Sequence, residues 1–230
     1  MRTRTTIAVI CAALAAALWI TAASRPADIP FEKVMLDPGA SETAAIADIN
    51  GDGKADIVAG ETWYEGPRWL PHKFREFGYS SNYVDNFSDL VFDVDGDGRQ
   101  DVVSCSWFSK RLAWWKNPGA SGKWQDAAIE SGSPIEFCFL VDMDNDGKAR
   151  EVLPQFGDDK QPLAWYEFRA GKWERHAVQS RSYGHGIGVG DVNGDKRADI
   201  LTPTGWLEAP ADPRSAEWTF HADWNFPEHL

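Results

Sequence analysis

One nine-residue pattern occurs four times in this chain at almost constant spacing, and nothing else in the sequence constrains the fold as strongly. The copies run Asp48-Ile-Asn50-Gly-Asp52-Gly53-Lys54-Ala-Asp56, Asp93-Val-Asp95-Gly-Asp97-Gly98-Arg99-Gln-Asp101, Asp142-Met-Asp144-Asn-Asp146-Gly147-Lys148 and Asp191-Val-Asn193-Gly-Asp195-Lys196-Arg197-Ala-Asp199. Their starts lie 45, 49 and 49 residues apart. A fixed period in this range marks a repeat architecture, each unit being one small supersecondary element.

In a tight loop, side-chain oxygens at positions 1, 3, 5 and 9 of the pattern converge on one point. Carboxylates crowded there repel one another unless a cation neutralises them, and hard oxygen ligands in a flexible loop suit Ca2+. The candidate ligands are Asp48, Asn50, Asp52 and Asp56 in the first copy and Asp93, Asp95, Asp97 and Asp101 in the second. The third offers Asp142, Asp144, Asp146 and Glu151, and the fourth Asp191, Asn193, Asp195 and Asp199. Lys54, Arg99, Lys148 and Arg197 stand where a backbone carbonyl would add a further ligand. Gly53, Gly98 and Gly147 supply the positive φ that the sharp turn needs. The later copies depart from the pattern. Arg150 occupies the ninth position of the third, with the acid one residue late as Glu151, and Lys196 replaces the glycine of the fourth. A non-glycine residue at positive φ costs about 1–2 kcal/mol.

Two plainer readings compete. Asp, Asn and Gly dominate metal-free turns as well, but recurrence in register weakens that account. An EF-hand loop opens the same way, yet requires Glu at its twelfth position and flanking helices. Ala59, Ser104, Leu153 and Thr202 stand there, and the flanks are short apolar runs of strand character such as Leu90-Val-Phe and Val102-Val103-Ser-Cys. The EF-hand is excluded.

Residues 1–24 read as an export segment: Arg2 and Arg4, an apolar run from Ile7 to Ile20, then small residues Thr21-Ala22-Ala23. The run is long, so an uncleaved membrane anchor is the other reading. Either predicts an extracytoplasmic protein, secreted or periplasmic. Cleavage would remove Cys11 and leave Cys105 and Cys138, which fit either a disulfide or two buried thiols. The formal net charge is −12, and the four loops alone hold fourteen acidic side chains. Acidity concentrated in this way argues against nucleic acid or an anionic membrane surface as partner.

Around each loop the same order of strand-like segments recurs. In the second copy these are Asp89–Asp93, Asp101–Trp107, Arg111–Asn117 and Trp124–Glu130; in the third, Phe137–Asp142, Glu151–Phe156, Pro162–Phe168 and Trp173–Val178. Four short strands per unit predict an all-β fold of propeller-blade type. Tryptophan recurs at fixed places: Trp63, Trp114, Trp165 and Trp206 in one series, Trp124, Trp173 and Trp218 in another. Packing between neighbouring sheets accounts for rings repeated in every unit better than sugar stacking does.

Loops of this form, each followed by a short strand and an aromatic-rich segment, resemble FG-GAP repeats, also called VCBS repeats, of the integrin-alpha-like kind. The resemblance covers residues 31–222, with loops at 48–56, 93–101, 142–151 and 191–199, leaving 223–230 as a C-terminal tail. It implies four blades of a β-propeller, a fold that typically has seven in this family, with Ca2+ held between the first two strands of a blade. Phe31–Leu36 resembles an outermost strand without its sheet, so the chain is expected to be an incomplete, truncated propeller. A closed four-bladed ring is the alternative.

The resemblance also implies a non-catalytic, calcium-binding recognition or structural module. Its ligand, a protein or glycan, would lie on the axial face opposite the loops, and open blade edges would favour self-association. The rim of that face would be built by Glu42, Phe87, Glu136 and His185, each six positions before its loop, with Asp85, Asn86 and Tyr183 beside them. The enzyme alternative is a fragment of a carbohydrate-active propeller, a polysaccharide lyase or sugar dehydratase. His185, Glu136 and Tyr183 are its catalytic candidates, and they would have to cluster around a pocket. His72, His176 and His221 fall on outer strands and read as surface residues.

Overall fold

The computed structural model describes residues 29–215 and 217–226, so the export segment lies outside the described residues. None of the described residues forms a helix. The first sheet comprises β1 (Ala44–Ala47), β2 (Asp56–Ala59), β3 (Thr62–Glu65) and β4 (Leu70–Lys73). A two-stranded ribbon follows, β5 (Tyr79–Ser80) and β6 (Tyr83–Val84). The second sheet holds β7 (Ser88–Phe92), β8 (Asp101–Ser106), β9 (Arg111–Lys116) and β10 (Gln125–Ser131). The third holds β11 (Ile135–Val141), β12 (Glu151–Phe156), β13 (Leu163–Arg169) and β14 (Lys172–Gln179). The fourth holds β15 (Gly188–Gly190), β16 (Asp199–Thr202), β17 (Gly205–Glu208) and β18 (Thr219–His221). Each is an antiparallel meander of consecutive strands, with an acidic loop joining its first strand to its second.

The period of two along a strand explains how the sheets stack. Val102 and Val103 are adjacent on β8, yet Val102 packs with Ile49 and Val58 of the first sheet's side while Val103 packs with Ile135 and Phe156 of the third. Val152 and Leu153 on β12 divide the same way between the second and fourth sheets. Strands sandwiched between two sheets bury every residue, as β8 and β12 do, while the outermost β4 and β10 stay largely exposed. Each fully buried aliphatic side chain contributes about 1.5–3 kcal/mol. Core clusters thus join sheets one to two, two to three and three to four; among the described residues none joins the fourth to the first.

Both tryptophan series pack between or against these sheets: Trp165 and Trp218 sit in one cluster, and Trp63, Trp114, Trp115, Trp124 and Trp173 border the others. Cys105 and Cys138 are buried free thiols of the same cluster, and burial pushes the Cys138 thiol well up. The expected strand at Phe31–Leu36 is not formed. A strand needs a neighbour's backbone, and the first sheet is completed by its own four strands.

Candidate functional site

The four loops share one hydrogen-bond scheme built on their first and last acids. Asp48 accepts from the backbone N–H groups of Gly51, Asp52 and Gly53 at 2.8, 3.0 and 2.8 Å. Asp93 does the same with Gly96, Asp97 and Gly98, and Asp191 with Gly194, Asp195 and Lys196. The last acid is a buried latch. Asp56 accepts from Ile49 N at 2.8 Å and Gly66 N at 2.9 Å; Asp199 accepts from Val192 N and Ala209 N, both at 2.9 Å. Asp101 ties Val94 N to Asn117 N. In the third loop the late acid recovers the register, because Glu151 is one carbon longer and reaches Met143 N at 2.8 Å. Lys196 sits at φ 72°, the strained position foreseen for it. A second left-handed residue opens each turn two positions earlier: Gly51, Gly96, Asn145 and Gly194.

In the second and third loops the acids converge as a divalent cation would require. Ligand atoms of Asp93, Asp95 and Asp101 lie within 4.8 Å of one another, as do those of Asp142, Asp144 and Asp146. Asp95 Oδ1 is buried with no hydrogen-bond partner. Burial pushes the Asp101 carboxyl up to about 6 and Glu151 up to about 7, so their charged forms lack compensation that a cation would supply. Basic side chains supply some of it. Lys116 pairs with Asp95 and stands 3.4 Å from Asp97, Lys54 pairs with Asp52, Arg197 with Asp195, and Arg214 reaches Asp144 at 2.8 Å.

At the other end of the strands lies a cleft of about 190 Å3, lined by Tyr83, Phe87, Trp107, Phe108, Glu136 and His185. Phe87 and His185 precede β7 and β15, Glu136 opens β11, and Trp107 and Phe108 form the β8–β9 turn. Buried Asp85 fixes that turn by accepting from Phe108 N at 2.9 Å and Ser109 N at 2.8 Å. Trp107 lies over Gly157, where an added Cβ would come within 2.4 Å of its ring. His185 stacks on Trp107 at 5.4 Å, and its Nε2 stands 2.5 Å from Glu136 Oε2. The structure therefore brings three of the four expected rim residues together. Glu42 is exposed and does not line the cleft. Neither does Tyr183, which donates to Gln179 at 2.6 Å and stacks on Phe220. Asn86 is buried, donating to Asp89.

The FG-GAP-like repeat family matches residues 93–149, and the FG-GAP repeat family matches residues 41–69. The chain carries FG-GAP repeats over these two stretches. No curated protein matches it. Among solved structures, it resembles a lectin of Agrocybe aegerita, described as specifically recognising non-reducing terminal N-acetylglucosamine, with a TM-score of 0.51 at 19% identity. That match covers 79% of this chain and 52% of the lectin, so the chain spans about half the lectin's length. The V. cholerae biofilm matrix protein Bap1 matches at a TM-score of 0.45 and 18% identity, over 78% of this chain and 30% of Bap1.

The chain's four sheets carry a further recurrent group that the sequence reading passed over. Trp63, Glu65 and His72 recur as Trp165, Glu167 and His176 and as Trp206, Glu208 and His221. In each, the histidine pairs across strands with the tryptophan and contacts the glutamate at 2.8–2.9 Å, its ring 4.2–4.3 Å from the indole, stacked in the first and fourth sheets and tilted by 31° in the third. These histidines are thus half-buried partners in outer-strand pairs, not free surface residues. The signal was a Trp-x-Glu spacing on the third strand of the repeat. The second repeat lacks it, having Lys116 in place of the glutamate and Ala127 opposite Trp114.

Proposed function

We propose that this FG-GAP repeat chain is an exported, non-catalytic recognition module whose acidic loops bind Ca2+ as structural ions. In each repeat the ion would lie among the candidate ligands of the loop and pin the hairpin between the innermost strand and its neighbour. The four sheets would then form an arc of a larger propeller. Core clusters that join each sheet to the next, with none joining the fourth to the first among the described residues, support that arc.

The observation that carries the reading is the division of labour along the strands. Acidic loops gather at one end, and an aromatic cleft with two polar groups opens at the other. The contact between His185 and Glu136 favours a second reading, an acid–base pair of a carbohydrate-active enzyme. Tyr183, its third expected member, stands outside the cleft, and recognition is preferred for that reason.

Thermal unfolding in chelator and across a calcium titration tests the proposal. An ion bound only by the folded state stabilises by about 2.7 kcal/mol at a hundredfold excess over its Kd. The melting temperature is expected to climb with calcium and to fall back in chelator. A melting temperature indifferent to calcium would reduce the loops to acidic turns.

A further inference from the structure

We propose that the cleft formed by Trp107, Glu136 and His185 binds a single neutral saccharide ring, laid against the exposed aromatic faces and hydrogen-bonded by the Glu136 carboxylate and the His185 imidazole. The proposal rests on the recognition reading and assigns that site its ligand class.

Repeat packing does not account for the aromatic residues here. Trp107 is the first residue after β8, and its counterparts after β2, β12 and β16 are Gly60, Gly157 and Pro203. Phe108 likewise corresponds to Glu61, Asp158 and Thr204. Tyr83 comes from a two-stranded ribbon that has no equivalent in the other repeats among the described residues. Among the blade tryptophans Trp165, Trp206 and Trp218 are buried and the others half-buried, as Trp107 is, whereas Tyr83 is 52% and Phe108 45% exposed. Large apolar rings held in solvent around a concavity mark a binding surface. Three local devices hold them there: Asp85 on the turn, the bare Cα of Gly157 beneath Trp107, and the left-handed glycines Gly184 and Gly186 on either side of His185.

The chemistry then selects the ligand. Glu136 Oε2 is enclosed against His185 Nε2 at 2.5 Å, while the His185 side chain is 63% and that of Glu136 30% exposed, so a ligand meets the remaining surface of the carboxylate and the imidazole. A sugar hydroxyl donates and accepts at once, which suits an acceptor carboxylate beside an imidazole that can serve in either sense. The ring's C–H face lies against aromatic faces, which carry negative π density. A quaternary ammonium would use the rings and the charge but would bring no donor to Glu136. Anionic sugars are repelled by Glu136 and by the net charge of −12. At about 190 Å3 the cleft is smaller than the roughly 300–1,000 Å3 usual for drug-sized ligands, and it accommodates one ring.

Saturation-transfer NMR on the full chain tests this with methyl β-glucoside, methyl β-galactoside, the methyl glycoside of N-acetylglucosamine, and tetramethylammonium as the cationic probe. At least one glycoside is expected to bind saturably, and to weaken about tenfold or more, equivalent to 1.4 kcal/mol, in Trp107→Ala and in Glu136→Gln. The Glu136→Gln variant keeps the side-chain shape, so an unchanged melting temperature with lost binding isolates the carboxylate. Glycoside binding untouched by both substitutions overturns the assignment. Binding of tetramethylammonium alone overturns the sugar class and leaves recognition at this cleft standing. Absence of binding by every probe to a protein that still melts higher in calcium overturns the sugar site while leaving the calcium-pinned fold intact.

Discussion

Arg75 illustrates how much a single side chain can decide in a stack of small sheets. Its Nη2 donates to Asp89 at 2.7 Å with both side chains fully enclosed, and its Nε donates to the Gly60 carbonyl at 2.7 Å. The guanidinium lies 4.6 Å from the ring centroids of both Phe74 and Phe77, and Asn86 completes the carboxylate's partners. The pair ties the chain after β4 to β7 of the next sheet. Removing one partner leaves a buried charge alone, so Arg75→Met or Asp89→Leu is expected to cost about 3–5 kcal/mol in urea unfolding. The double substitution Arg75→Met with Asp89→Leu is expected to cost less than either alone, and a larger loss in the double variant would contradict the account. Lys116 acts in the opposite sense. Its ammonium sits on Asp95 and Asp97, where a cation would compete with it. Lys116→Met is therefore expected to tighten calcium binding at the second loop in isothermal titration calorimetry; unchanged or weaker binding would contradict this.

At the scale of elements, Arg214 in the β17–β18 connection clamps two sheets by donating to both oxygens of Glu167 on β13, at 2.7 Å each, and to Asp144 of the third loop. The guanidinium holds the Glu167 carboxyl below the usual glutamate range. A carboxyl depressed in the folded state stabilises fully above its unfolded pKa, about 4.3, and loses that contribution as pH falls through its folded value. Arg214→Ala is expected to cost about 1–3 kcal/mol at neutral pH and to flatten the stability loss below pH ~4. An acid limb as steep as in the unsubstituted protein would refute the clamp. Elements of this kind were legible where turns punctuate them. Trp124–Glu130 and Pro162–Phe168 differ by one residue at each end from β10 and β13, and Glu151–Phe156 coincides with β12. Phe31–Leu36 carries the same outer-strand pattern yet forms no strand, because pattern specifies a face and not a partner.

For the molecule as a whole, the repeat period announced both the stacked sheets and the constant offset that places Phe87, Glu136 and His185 at one end of them. Trp107 was not legible in that way. It enters the cleft from the turn after β8, and only the stacking of the second sheet on the third brings it over Gly157. Tyr183 sits two residues from His185 but on the other side of a left-handed glycine, which sends its ring to Phe220 instead. The acidic loops are the feature shared by all four repeats, and the account stands or falls on them. The most direct test is a count of calcium ions per chain by native mass spectrometry, for the unsubstituted protein and for Asp93→Asn with Asp95→Asn. About two to four ions are expected on the unsubstituted chain and one fewer on the variant, since the second loop would lose two of its carboxylate ligands. A chain that carries no calcium, or a count that the two substitutions leave unchanged, would contradict the claim that these loops are metal sites.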